Sequence, residues 1–257
     1  DVGITSPCMM HDFAFTRNFS VILDLPLEFK GENMVWGGEA FKFNKKRPSR
    51  FGIMPRHGTS AADVVWFEGS SCFMFHVSNA YEEIADGITT IVLIGCRLPQ
   101  FEMNFSDDVL EGQSLYEWRF RLDHAVASAP APPVRLAQER VILQRPADFP
   151  QINPLFHGQK HRFTFMAGNL QKPRLKGASK GPLFDSVIKV DHSLVSADKP
   201  ITNNDEACRT IYLPEGVYCG EAVFVASDRP GISGSQLKED DGFLVTFAHD
   251  ENDQSSW

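Results

Sequence analysis

Helical periodicity is nearly absent from this chain, and short strand-like runs recur along it, bounded by Gly, Pro, Asn and Asp. In order they are Met9–Thr16, Phe19–Leu25, Arg50–Pro55, Val64–Glu68, Cys72–Val77, Thr89–Arg97, Leu115–Leu122, Val134–Leu143, Arg162–Ala167, Ser186–Val190, Thr210–Leu213, Ala222–Ala226 and Phe243–His249. Many short strands at regular spacing restrict the chain to an all-β fold, a sandwich or a propeller. A faint internal echo favours the propeller. Residues 49–56, 116–123 and 185–192 are similar pieces, each a short alternating strand that ends in a turn or a charge. An edge-strand element repeated once per unit is what a bladed architecture needs.

The connectors are plain. Residues 129–133 (APAPP) read as an extended loop, 171–181 as a basic flexible loop, and 227–241 as a long polar surface loop. None reads as an interdomain linker, so residues 1–257 are expected to form a single domain. The first residues, Asp1-Val-Gly3, precede a strand closely and lack an initiator Met, which reads as a start inside a longer protein.

The net charge of −8, with no basic run longer than Lys45-Lys46-Arg47, argues against a nucleic-acid partner. No apolar run reaches the roughly 20 residues of a membrane-spanning helix. Cys8, Cys72, Cys96, Cys208 and Cys219 are scattered without a C-x-x-C, so neither a zinc ribbon nor a redox dithiol is expected, and a reducing compartment fits best. Phe is abundant, at 21 residues. Most of these belong to a core, but some could line a path for a long apolar ligand. No G-x-S-x-G, phosphate loop or dinucleotide fingerprint is present.

Two stretches carry chemistry. His11 and Asp12 interrupt the apolar run 8–16, and His76 interrupts the run 72–77, with Glu82 and Glu83 following it. A buried imidazole needs a partner, and imidazoles on rigid strands suit iron, zinc, copper or nickel. A metal-bound His normally donates its other ring N–H to a carboxylate or carbonyl. Asp12, Glu82, Glu83, Asp148 and Glu221 are the acidic candidates, and the apolar or Gly-rich settings of Asp148 and Glu221 hint at burial. A lone His in an apolar run is more often a hydrogen-bonded core residue, so the pattern alone leaves both readings standing. His57, His124, His157, His161, His192 and His249 lie among polar neighbours and read as surface or structural.

Residues 9–16 (MMHDFAFT) and 73–83 (FMFHVSNAYEE) resemble two signature segments of the carotenoid cleavage oxygenases. Residues 147–153 (ADFPQIN), 158–163 (GQKHRF), 220–225 (GEAVFV) and 239–251 (EDDGFLVTFAHDE) extend the resemblance in the family's order. The wording is most similar to the plant-type branch, which holds 9,10-cleaving and 9-cis-epoxycarotenoid dioxygenases. The resemblance implies a seven-bladed β-propeller, here incomplete and truncated at both ends. It also implies an axial non-haem Fe(II) held by four histidines, with acidic residues bonded to three of them. The reaction is addition of O2 across a conjugated C=C bond of a carotenoid or apocarotenoid, giving two carbonyl products.

By position, His11 and His76 match two iron ligands, while Asp148 and Glu221 match acids that bond to ligand histidines. Asp148 is Glu in many relatives, so its shorter arm requires a closer loop. Tyr81 replaces a common Trp, a packing change. Phe75 is a candidate tunnel residue for substrate, with a core role as the alternative. The other two ligands would lie outside this chain, and the 257-residue span by itself is expected to be inactive. Any peripheral membrane contact would come from segments absent here. The compartment, plastid or cytoplasm, is left open. The alternatives are a non-catalytic carotenoid-binding propeller, or a relative acting on stilbenes or retinoids.

Overall fold

Antiparallel meanders dominate the computed structural model, which describes residues 2–4, 6–101, 112–122, 135–169, 183–203, 205–227 and 238–257. The strands are β1 (Ala14–Phe15), β2 (Phe19–Asp24), β3 (Leu27–Phe29), β4 (Phe41–Phe43), β5 (Ser49–Pro55), β6 (Val65–Gly69), β7 (Val77–Ala85), β8 (Ile88–Arg97) and β9 (Ser114–Leu122). They continue with β10 (Arg135–Leu136), β11 (Gln138–Leu143), β12 (Ala147–Gln151), β13 (Phe163–Gly168), β14 (Ser186–Asp191), β15 (Cys208–Tyr212), β16 (Val217–Ala226), β17 (Gly242–Asp250) and β18 (Ser255–Ser256).

The first sheet runs β1-β2-β5-β6, with β10 joining β6 in parallel. The second runs β7-β8-β9-β11, the third β12-β13-β14-β15, and the fourth β16-β17-β18. Neighbouring sheets meet through their first strands: β1 lies against β7, β12 against β7 and β8, and β16 against β12 and β13. This is the convergence that a bladed fold requires.

Burial explains the order of the layers. Successive side chains of a strand point to opposite faces, and β8 buries both. Its Ile91 and Leu93 join Val21, Leu23, Phe51, Trp118 and Phe120 in the layer between the first two sheets. Its Val92, Ile94 and Cys96 join Tyr81, Met166, Ile188 and Val190 between the second and third. Phe163, Phe165 and Phe224 fill the gap to the fourth sheet. Beyond it, Val223, Val225, Phe243, Val245 and Phe247 form one outward apolar face, since Val223 pairs with Val245 and Val225 with Phe243.

The echo at 49–56, 116–123 and 185–192 falls on β5, β9 and β14. Each is the third strand of its meander, hydrogen-bonded on both sides. The repeat is therefore genuine in position, but it marks an interior strand and not an edge. All five cysteines are free thiols, four of them buried.

Several boundaries differ from the sequence expectation. Within Met9–Thr16 only Ala14–Phe15 pairs as a strand. The run Cys72–Val77 is buried mostly by packing, and the strand proper begins at Val77. Glu82 and Glu83 therefore lie within β7. The β3–β4 hairpin was hidden by the brevity of its strands. It carries at its tip the helix α1 (Gly31–Val35), whose Met34 and Val35, with the adjoining Trp36, are exposed. The loops at 129–133 and 171–181, and His124, lie outside the described residues. No helix among the described residues is long and apolar enough to cross a membrane.

Candidate metal centre

The sequence-predicted residues occupy equivalent places in successive sheets. His11 lies just before β1, His76 just before β7, Asp148 in β12 and Glu221 in β16. These are the converging first strands, so positions 65 to 73 residues apart in sequence are brought to one end of the fold.

Two backbone-directed bonds stitch the first pair together. His11 Nδ1 lies 2.9 Å from the carbonyl oxygen of Phe75, and Asp12 Oδ2 accepts a 2.8 Å bond from the amide of Val77. Asp12 Oδ1 takes the amide of Phe13 as well. The stitch brackets His76 and fixes the two imidazoles at a centroid separation of 5.1 Å, with ring planes at 89°. His76 Nδ1 lies 2.9 Å from Asp148 Oδ1.

The partners define the tautomers. A carbonyl oxygen and a carboxylate oxygen can only accept, so in each neutral ring Nδ1 carries the proton and Nε2 keeps its lone pair. This is the arrangement that a metal-binding imidazole needs. Burial lowers the His76 pKa, but the hydrogen bond and charge of Asp148, with the charges of Asp12 and Glu221, outweigh it and leave the pKa raised. Among the described residues no group of three or more His, Cys, Asp or Glu side chains is placed to hold a metal ion. The pair is thus a two-imidazole half-site.

Asp148 is buried, as its apolar setting suggested. The register of β12 on β13 shifts between Asp148 and Gln151, and Phe149 adopts a left-handed backbone with φ of 53°. That conformation is uncommon for a bulky residue and is kept only where surroundings enforce it. Here it turns the Phe149 amide onto Asp148 Oδ1 at 2.8 Å.

Glu221 differs from expectation. It is exposed, accepts a 2.5 Å bond from Gln151 Nε2, and is hydrogen-bonded to neither imidazole. It lies in the bulge between Cys219 and Ala222, where the local register shifts, so its Gly-rich setting does not translate into burial. Of the remaining acidic candidates, Glu82 binds Thr16 and Asn18, while Glu83 pairs with Arg119 and Lys160.

Aromatic rings wall the half-site. Phe75 is half-buried, with its ring 5.1 Å from His11 and 5.1 Å from Phe101. Phe149 lies 4.9 Å from His76 and 5.2 Å from Phe184. Phe149, Phe101 and Phe184 escaped the sequence reading, because in a Phe-rich chain nothing local separates a wall residue from a core residue. Tyr81 is buried and meets His161 edge-on, in keeping with a packing role. His161 is itself buried between Asn79 and Thr164, so it belongs to the interior and not to the surface. A cavity of about 220 Å³ lies elsewhere, on the third sheet, lined by Arg162, Lys189, Asp191, Arg209 and Asp240 among others.

A pair of imidazoles just ahead of the first strands of successive sheets is the arrangement that the resemblance to the carotenoid cleavage oxygenases implies. Residues 1–257 match the retinal pigment epithelial membrane protein (RPE65) family along their whole length, and the chain belongs to that family. It is 34% identical to a carotenoid 9,10(9',10')-cleavage dioxygenase of Crocus sativus, over 98% of this chain and 43% of that protein. Among solved structures it resembles a lignostilbene dioxygenase of Pseudomonas brassicacearum, with a TM-score of 0.72, 20% identity, and coverage of 97% of this chain and 48% of the other. It also resembles a cobalt-substituted apocarotenoid oxygenase of Synechocystis, with a TM-score of 0.68, 22% identity, and coverage of 97% and 46%. The chain thus spans a little under half the length of these relatives.

Proposed function

We propose that the protein containing this chain is a non-haem Fe(II) dioxygenase. It would cleave a conjugated C=C bond of a carotenoid or apocarotenoid with O2 to give two carbonyl products. The observation that carries this reading is the pair of facing imidazoles with both Nδ1 atoms engaged and both Nε2 atoms left for a metal. The donor set fits iron, since neutral imidazole is an ordinary ligand for it. The 9,10-cleaving relative and the cobalt-substituted neighbour support a metal-dependent cleavage.

His11 and His76 would hold the ion through Nε2, with the remaining ligands coming from outside this span. Bound iron would supply the redox chemistry that engages O2. Asp148 holds the His76 proton on Nδ1 and so keeps Nε2 available. Phe75 and Phe149 present apolar surface beside the ion site, suited to a polyene and poor for water. Glu221, bonded only through Gln151 among the imidazole-directed candidates, is proposed to orient a ligand histidine supplied from outside the span.

The test uses the full-length protein, purified with Fe(II) and incubated in air with a panel of carotenoids, apocarotenoids and stilbenes. Paired carbonyl products from a carotenoid or apocarotenoid, lost in His76→Ala and without O2, support the proposal. Absence of iron uptake with retained carotenoid binding would sink it, as would turnover that His76→Ala leaves intact. The 257-residue span alone is expected to release no product, since two imidazoles hold the ion far more weakly than a complete site.

A further inference from the structure

Gln113 makes an unusual contact for its position. Its side chain is 1% exposed, and Nε2 donates a 2.9 Å bond to Asp148 Oδ2, the oxygen that His76 does not use. Its own Oε1 is buried with no hydrogen-bond partner. A buried carbonyl left without a donor is costly, and an apolar side chain of the same length would avoid that cost. The residue before it, Gly112, has a φ of 74°, and a Cβ there would lie 2.9 Å from Pro99 Cγ. The turn that delivers Gln113 to the carboxylate is therefore one that glycine makes possible.

The geometry points to Gln113 as a positioning residue that acts on His76 through Asp148. The carboxylate is held at both ends: Oδ1 takes His76 Nδ1 and the Phe149 amide, and Oδ2 takes Gln113. Remove the Gln113 donor and Oδ2 is left in the interior without its partner. The carboxylate then turns about its Cβ–Cγ bond, and Oδ1 leaves the plane of the His76 ring. The bond that fixes the His76 tautomer weakens, and Nε2 loses its aim. Cys96 is fully buried on the strand beside His76, its amide bonded to the His76 carbonyl at 3.1 Å.

The value of this arrangement for iron rests on the proposed function, but the orientation of His76 does not. The test therefore reads the two separately in the full-length protein. Gln113→Met keeps the length and removes both the donor and the orphaned carbonyl. Cys96→Ala is the second variant, should Gln113→Met fail to fold. The first readout is the nitrogen NMR of metal-free, histidine-labelled protein, in which His76 is expected as the pure Nδ1–H tautomer. In either variant a mixture with the Nε2–H form is expected. The second readout is Fe(II) or Co(II) affinity, expected to fall about tenfold in Gln113→Met. A merely structural role predicts the reverse, a lower melting temperature with tautomer and affinity unchanged, and that result overturns the inference. If the tautomer changes but the wild type takes up no metal, the positioning stands and the proposed function fails.

Discussion

Asp12 and Val77 are joined across 65 residues by a 2.8 Å bond from the Val77 amide to the Asp12 carboxylate. With the bond from His11 to the Phe75 carbonyl, it makes a clasp that sets one imidazole against the next. Asp12→Ala deletes the acceptor for two backbone amides, Phe13 and Val77. It is expected to lower stability by about 1–3 kcal/mol and to lower iron content with it. Urea denaturation and metal analysis of the same preparation check both; unchanged iron would show that the clasp does not set the ring separation.

Asp148→Asn preserves shape and volume but replaces an acceptor. Three donors converge on this carboxylate: His76 and Phe149 meet Oδ1, where an amide oxygen still accepts, but Gln113 Nε2 meets Oδ2, where an amide NH2 cannot, and the negative charge beside His76 is lost. Metal affinity should fall about 10- to 100-fold. Asp148→Glu is also expected to weaken binding, because the left-handed turn at Phe149 is fitted to the shorter arm. Isothermal titration with Co(II) in the full-length protein separates the three forms.

Gly95 faces the backbone that carries His76. A Cβ there would lie 2.3 Å from Met74 Sδ and 3.2 Å from the His76 carbonyl oxygen. That carbonyl accepts the Cys96 amide at 3.1 Å. Gly95→Ala should cost about 1–3 kcal/mol by overpacking. The cost should shrink in a Met74→Ala background, and a double-mutant cycle in urea gives the coupling. Additive losses would show that the Met74 side chain is not the obstacle.

Acid should weaken the fold through His161. Burial, then the charges of His192 and His157, lowers its pKa to about 3, against an ordinary value of 6.5. The unfolded chain therefore binds the proton first. The stability that neutral His161 contributes is complete above about pH 7 and is lost progressively as pH falls from about 6.5 toward 3. The slope approaches 1.4 kcal/mol per unit, or about 2 kcal/mol by pH 5. Urea midpoints measured between pH 7.5 and 4.5 should show this, with a flatter profile in His161→Gln.

How far these features were legible depended on how each residue advertises itself. His11 and His76 stood out because a polar ring in an apolar run needs a partner, and the structure supplies one to each. Asp148 stood out for the same reason. Gln113 could not, since an amide between Gly112 and Ser114 looks like a loop residue, and its value lies in a carboxylate 35 positions away. Glu221 misled because its Gly-rich, apolar neighbours suggested burial, whereas it sits exposed in a bulge. The expected strand stopped at Val77 because Ser78 and Asn79 look exposed, whereas β7 runs through both to Ala85. Thr164 and His161 bury them by hydrogen bonding, a tertiary effect that no local pattern records. The echo of third strands was visible because each interior strand is hydrogen-bonded on both sides and sets at least one buried face against the core.

The reach from His76 to Asp148 also dates the assembly of the site. The clasp with His11 and Asp12 can close as soon as the chain through Val77 has been synthesised. The carboxylate that orders the His76 ring is 72 residues further on. At translation rates of roughly 5–20 residues per second, it follows about 4–14 s later. For that interval the nascent chain holds a histidine pair whose second ring lacks its anchor. If the protein binds iron as proposed, metal encountered then would meet a loose ligand, and faithful loading would belong to the time after the third sheet has left the ribosome.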